Sequence, residues 1–296
     1  MDLTKLTTET RNPKTMNLDE LSTIERLRIM NEEDQKVAEA VNKELEAVSQ
    51  VVDAIIDSFN QGGRLIYMGA GTSGRLGVLD AAECVPTFSV DSSMVQGLIA
   101  GGMKAMTVAV EGAEDSKELG AEDLKDIELS KKDTVVGIAA SGRTPYVIGG
   151  LSYAKEVGAK TAALSCNKGA EISQYAEMAI EVESGPEVLT GSTRLKAGTA
   201  QKMVLNMLST ASMVGIGKVY QNLMVDVKAS NKKLIERSKR IIQEATDCTY
   251  EQAAEAFEAA DQQVKLAIVM ILTKSSKQEA VAKLKKAKGF IKEAVQ

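Results

Sequence analysis

Leu65-Ile66-Tyr67-Met68-Gly69-Ala70-Gly71-Thr72-Ser73-Gly74-Arg75 is the stretch that decides the fold class. Its first four residues are apolar and read as a buried strand. The residues that follow, Leu76-Gly77-Val78-Leu79-Asp80-Ala81-Ala82, read as the first turns of a helix. A glycine-rich turn between a strand and a helix is a common way to bind phosphate, because backbone N–H groups and the helix dipole converge on one anion, though such a turn can also be purely structural. Gly71 and Gly74 let the chain curl here, and Thr72 and Ser73 add hydroxyl donors. The same residues also fit the dinucleotide fingerprint Gly-x-Gly-x-x-Gly, with Asp91 at the spacing of its acidic partner. Spacing alone keeps both readings open.

Working outward, strand-like runs at 65–68, 94–100, 134–139, 161–165 and 178–182 alternate with helical stretches at 73–83, 103–123, 145–157 and 168–176. That alternation predicts an α/β fold, a parallel five-stranded sheet with helices on both faces. In such sheets ligands sit at the carboxyl ends of the strands. Upstream, residues 1–16 are polar and irregular, and 17–59 read as two helices. Ser22 and Glu25 form a capping box for the first. Apolar positions from Val37 to Ile56 give the second a buried face. Downstream, 195–225 reads as one long Met-rich helix, a core or interface element. Helices are expected at 231–246, 249–260, 264–273 and 277–295, with 247–252 starting a small three-helix module.

The chain has 296 residues, 44% of them hydrophobic but only 3% aromatic, so its core is built from aliphatic side chains. A net charge of −5 argues against nucleic acid or an anionic membrane as partner. The three cysteines are odd in number and widely spaced, which suggests free thiols in a reducing cytoplasm. No apolar leader or membrane-length segment is evident. Histidine is absent. That excludes Ser-His-Asp triads, Cys-His dyads and His-ligated metals, and leaves carboxyls, Lys, Tyr and Cys to move protons.

Two further loops share the character of the first. Ala140-Ser141-Gly142-Arg143-Thr144-Pro145 also follows an apolar strand and opens a helix, with Pro145 suited to the first turn. A dinucleotide needs one such loop; a phosphorylated sugar can use two, one for the phosphate and one for ring hydroxyls. Residues 185–196, with Glu187 and Ser192, open the Met-rich helix, and Ser192 alone could serve as its cap. Two acidic features complete the set. Glu83 lies among small and apolar residues in Asp80-Ala81-Ala82-Glu83-Cys84, where a desolvated carboxyl stays protonated and can act as a general acid. Glu111, Glu114 and Glu118 are spaced to share one helical face, which most often is merely solvated.

Taken together, residues 69–77, 80–84, 110–115, 139–146 and 185–196, with Thr8-Glu9-x-Arg11-Asn12 near the start, resemble the N-acetylmuramic acid 6-phosphate etherases, bacterial sugar-isomerase-domain (SIS) proteins. The resemblance covers nearly the whole chain. It implies a flavodoxin-like three-layer SIS fold: an N-terminal extension at 1–50, a phosphosugar-binding domain at 51–228 and a UBA-like helical module at 229–296. It implies a cofactor-free ether cleavage, with Glu83 as proton donor and Glu114 as second catalytic carboxylate. Gly71, Thr72, Ser73, Gly74, Ser141, Gly142, Arg143, Thr144, Glu187 and Ser192 are then the substrate-binding candidates. The resemblance also implies a cytoplasmic homodimer with a shared active site. Competing readings are a phosphosugar aldose–ketose isomerase and a non-catalytic phosphosugar sensor. Arg75, Arg143, Arg194 and Lys196 are the candidate partners for a substrate carboxylate.

Overall fold

The computed structural model describes residues 6–227 and 231–296. Five parallel strands form one sheet: β1 (Leu65–Gly69), β2 (Val95–Ile99), β3 (Thr134–Ala139), β4 (Lys160–Ser165) and β5 (Met178–Glu181). Their order is β2-β1-β3-β4-β5. This is the flavodoxin-like order, with its switch point between β1 and β3. Every residue of β1 is buried, as befits a central strand covered on both faces. Gly69 at its end lies level with Ile99 of β2 and Ile138 of β3. The loops after β1 and β3 therefore leave the sheet side by side.

Alternation along the strands divides the layers. Ile66, Met68, Val135 and Ala139 pack in one cluster with Tyr146, Val147 and Leu151 of α5 (Pro145–Val157) and Leu124 of α4 (Lys117–Asp126). On the other face, the Ser58 hydroxyl of α2 (Leu45–Asn60) sits 2.7 Å from that of Thr134. The Tyr67 hydroxyl donates to Asp80 of α3 (Gly71–Phe88) at 3.0 Å. α1 (Thr23–Asn42) precedes α2, and α6 (Lys196–Gly215) follows the sheet.

Contacts divide the chain into two compact units, one of residues 1–81 and 93–209, the other of 82–92 and 210–296. This division falls within α6. In the second unit a short hairpin, β6 (Val219–Tyr220) with β7 (Leu223–Met224), is followed by α7 (Lys232–Thr246), α8 (Tyr250–Ala259), α9 (Val264–Thr273), α10 (Lys277–Lys286) and α11 (Ile291–Ala294). Ile242, Phe257, Val264, Ile268 and Ile291 form its core. Among the described residues no helix is long and apolar enough to cross a membrane.

Several expectations are corrected. The first helix runs on to Asn42, so Val37 and Val41 belong to it and the break comes at residues 43–44. Residues 103–123 do not form one helix. They split into 3-10 turns at Met103–Met106 and Ala113–Asp115 before α4 begins. Gly101, Gly102 and Gly112, all at positive φ, break the periodicity there. Glu111, Glu114 and Glu118 consequently share no helical face. The stretch 168–176 holds only a 3-10 turn at Glu171–Tyr175. The C-terminal module has more than three helices, because Lys288 and Gly289 adopt positive φ and separate α10 from α11.

Candidate active site

The loop after β1 is built by close approach. A Cβ at Gly74 would lie 2.6 Å from the Gly69 carbonyl oxygen and 2.7 Å from Ile99 Cγ1, so only glycine lets α3 start against the strand ends. Gly71 has φ +51° and opens the helix at once. Thr72 is half-buried, and no hydrogen bond within the chain engages its hydroxyl among the described residues. Ser73 differs. It is buried, and its hydroxyl donates to Gln201 Oε1 of α6 at 3.0 Å. The two expected ligand hydroxyls thus have separate jobs. Arg75 donates to the carbonyls of Ala105 (2.9 Å) and Met106 (3.0 Å), holding the turn after β2 in place.

That turn leads to Glu114. A cleft of about 220 Å³ has Ala70, Gly71 and Arg75 among its lining residues together with Glu111, Gly112 and Glu114. The structure therefore joins the β1 loop to Glu114, which is exposed in its 3-10 turn.

The loop after β3 is fastened by its backbone. Gly142 (φ +73°) donates to the Ala139 carbonyl at 2.9 Å, and its own carbonyl accepts from Ile172 N–H at 2.9 Å. Ser141 and Thr144 are half-buried, with hydroxyls free of hydrogen bonds among the described residues; Arg143 is half-buried. Asn167, just beyond β4, clamps this loop to the N-terminal motif. Its Nδ2 donates to Thr8 Oγ1 at 3.0 Å and to the Ala140 carbonyl at 3.1 Å, while its Oδ1 accepts from the Thr7 hydroxyl at 3.0 Å. Asn12 Nδ2 donates to the Pro186 carbonyl at 3.4 Å. Thr7, Thr8 and Asn12 thus tie this irregular segment to the site's loops.

In the third loop the cap is not Ser192, which is half-buried in a turn ahead of α6. The buried Glu187 carboxylate accepts from the Lys196 and Ala197 N–H groups at 2.9 and 3.0 Å and caps α6 instead. Burial pushes the Glu187 carboxyl up, against the two N–H bonds and the Lys196 charge. Lys196 is itself buried and paired with Glu33 of α1 at 2.7 Å. Burial alone would raise Glu33; the hydrogen bonds and charges of Lys196 and Lys36 outweigh it and hold the carboxyl at about 2.

Glu83 lies further along α3, in the second unit. It is exposed there, not buried among its small neighbours as the sequence suggests. Asp91 precedes β2 instead of ending it, the wrong end of a strand for the acidic partner of a dinucleotide. Asn167, Gln201 and Glu33 were not foreseen.

An N-acetylmuramic acid 6-phosphate etherase 2 of Enterococcus faecalis is 72% identical to this chain over 292 residues, covering 99% of both. One of Lactiplantibacillus plantarum is 69% identical over 295 residues and covers 100% of both. An etherase of a Geobacillus strain is 67% identical over 294 residues, covering 99% of this chain and 100% of its own. The chain belongs to the N-acetylmuramic acid 6-phosphate etherase family. Within the chain, residues 104–211 match the SIS domain, and residues 47–155 match the N-terminal SIS domain of glucokinase regulatory protein. Residues 221–264 match that protein's C-terminal lid domain. Phosphoheptose isomerases from Francisella tularensis and Neisseria gonorrhoeae share the fold. The first has a TM-score of 0.50 at 12% identity, over 66% of this chain and 100% of its own. The second has 0.50 at 15%, over 64% and 99%.

Proposed function

We infer that this protein is a carbon–oxygen lyase that cleaves the D-lactyl ether of N-acetylmuramic acid 6-phosphate. It releases D-lactate and leaves N-acetylglucosamine 6-phosphate, a step in the recycling of cell-wall amino sugars. The observation that carries this is the match to etherases at 67% to 72% identity over at least 99% of the chain.

The chemistry needs two carboxyls and no histidine. When the sugar ring opens, C1 is an aldehyde and the C2 proton becomes acidic. Glu114 takes that proton. The electron pair moves toward C1 and then expels the lactyl oxygen from C3, while Glu83 delivers a proton to it. Water adds to C3 of the unsaturated aldehyde, and a proton returns to C2. Each proton transfer contributes on the order of 10²–10⁴-fold. Glu114's place beside the β1 loop supports its role. A homodimer whose second subunit covers the exposed Glu83 belongs to the same reading.

The phosphate and ring hydroxyls lie against Gly71, Thr72, Ser73 and Gly74 and against Ser141, Gly142, Arg143 and Thr144. The hydroxyls of Thr72, Ser141 and Thr144, free of hydrogen bonds among the described residues, support this. Glu187 and Ser192 belong to the same rim, Glu187 acting through the helix it caps. Arg75 and Lys196 are committed to the fold, which leaves the lactyl carboxylate to other cations such as Arg194. Free cysteines fit a cytoplasmic enzyme.

The test is turnover of N-acetylmuramic acid 6-phosphate by purified protein with EDTA and no added cofactor. Equal amounts of D-lactate and N-acetylglucosamine 6-phosphate are expected. Binding without lactate would mean a sensor, and a ketose product an isomerase.

A further inference from the structure

The proposed reaction makes no direct use of α1, yet α1 carries one of the most deeply buried acids in the chain. Glu33 is 2% exposed, and its Oε2 lies 2.7 Å from the Nζ of Lys196, itself 1% exposed. Lys36, one turn along α1, also pairs with Glu33.

Lys196 is the first residue of α6, and α6 touches the site. Its first turn is capped by Glu187 through the N–H groups of Lys196 and Ala197. One turn later Gln201 Oε1 accepts the hydroxyl of Ser73 in the β1 loop at 3.0 Å. The Thr72 methyl lies 3.4 Å from where a Cβ on Gly198 would stand, so α6 packs directly against the loop. Further along, the Ser209 hydroxyl donates to Asp80 of α3 at 3.2 Å. A continuous path thus runs from Glu33 to Lys196, along α6 to Gln201, and across to Ser73.

A buried ion pair is a stiff joint. Its ammonium cannot slide or rotate away without leaving a charge uncompensated in the interior. We propose that Glu33 is a positioning residue for the phosphosugar site. By holding Lys196 it sets the depth and rotation of the first turns of α6. Gln201 and the Ser73 hydroxyl follow, and with them the geometry of the β1 loop in that site. The identity of the ligand rests on the etherase reading; the mechanical coupling does not.

The test measures fold, binding and turnover in Glu33→Gln and in the charge-free pair Glu33→Met with Lys196→Met, an apolar replacement that buried pairs often tolerate. Circular dichroism reports the fold and calorimetry the Kd of N-acetylglucosamine 6-phosphate. Steady-state assays with N-acetylmuramic acid 6-phosphate give KM and kcat. The expected result is a Kd and KM raised about tenfold in both variants with kcat changed less than about threefold, the pattern of lost uniform binding. In a Ser73→Ala background, Glu33→Gln adds no more than about twofold, because both act through one contact. A folded variant whose Kd stays within about twofold of wild type, or a full effect in the Ser73→Ala background, overturns the proposal. Failure of both variants to fold also overturns it, since the pair is then a stability element only. Wild-type protein that binds the sugar phosphate but releases no lactate removes the etherase reading alone.

Discussion

The Ser73 hydroxyl, in the loop expected to cradle phosphate, donates to Gln201 Oε1 of α6 at 3.0 Å, while no hydrogen bond among the described residues engages the hydroxyl of its neighbour Thr72. Two adjacent residues of one loop thus divide support and recognition between them.

This division predicts different phenotypes. Thr72→Val should weaken substrate binding by about 1.5–3 kcal/mol, the value of a hydrogen bond to a charged group, and leave melting unchanged. Ser73→Ala should both raise KM and lower the melting temperature, through loss of a buried hydrogen bond worth about 1 kcal/mol. Calorimetric melting alongside KM separates the two; equal melting temperatures would mean that the tie to α6 is idle.

Glu83 and Glu114 are both exposed in the single chain, so glutamine at either should leave the fold intact. Each should cost on the order of 10²-fold or more in lactate release. Deuterium exchange at C2 in heavy water distinguishes their roles. Glu114→Gln should abolish it along with turnover. Glu83→Gln should retain it, because the base still acts when the leaving group is not protonated. Exchange lost only in the Glu83 variant would reverse the assignment.

The strands were legible because a fully buried parallel strand is a short continuous apolar run, and 134–139 shows one that coincides with β3. The loops were legible because glycine has few other reasons to cluster between a strand and a helix. The 103–123 stretch mimics one helix because its 3-10 turns carry acidic and small residues at helical spacing, although Gly101, Gly102 and Gly112 at positive φ break it. The partners of the site were not legible at all. Ser73 and Gln201 are 128 residues apart, and Glu33 and Lys196 are 163 apart. A glutamate or glutamine on a helix looks like a solvated residue until the tertiary fold buries it. Glu83 errs in the other direction: small neighbours in sequence predicted burial, but its helix turns it outward.

Acid should destabilise the protein through Glu33. Its carboxyl is held at about 2 in the folded state against an ordinary value of 4.5. The folded form therefore binds its proton less readily than the unfolded form. The stabilisation is complete above the unfolded value and is lost as pH falls from about 4.5 toward about 2. Asp133, held low despite burial by Arg64 and by Ser130 N–H, adds in the same direction. Melting temperature followed from pH 6 to pH 3 should fall less steeply in Glu33→Gln than in wild type; parallel curves would contradict this.

Thiol chemistry should be selective. Burial, with the nearby Glu187 charge, pushes the Cys166 thiol up to about 12, so it carries almost no thiolate at neutral pH. Cys84 is also buried, whereas Cys248 is partly accessible. An aromatic disulfide reagent at pH 7.5 should show one fast thiol, removed by Cys248→Ser. A fast phase surviving that substitution would mean that one of the buried sites opens.

The central claim is that the bond broken joins C3 of the sugar to the lactyl oxygen, with water entering at C3. Turnover of N-acetylmuramic acid 6-phosphate in ¹⁸O-labelled water tests it most directly. The account predicts one heavy oxygen in the C3 hydroxyl of N-acetylglucosamine 6-phosphate and none from cleavage in the D-lactate. Heavy oxygen placed by turnover at the lactate hydroxyl, with none at C3, would show cleavage on the lactyl side and contradict elimination.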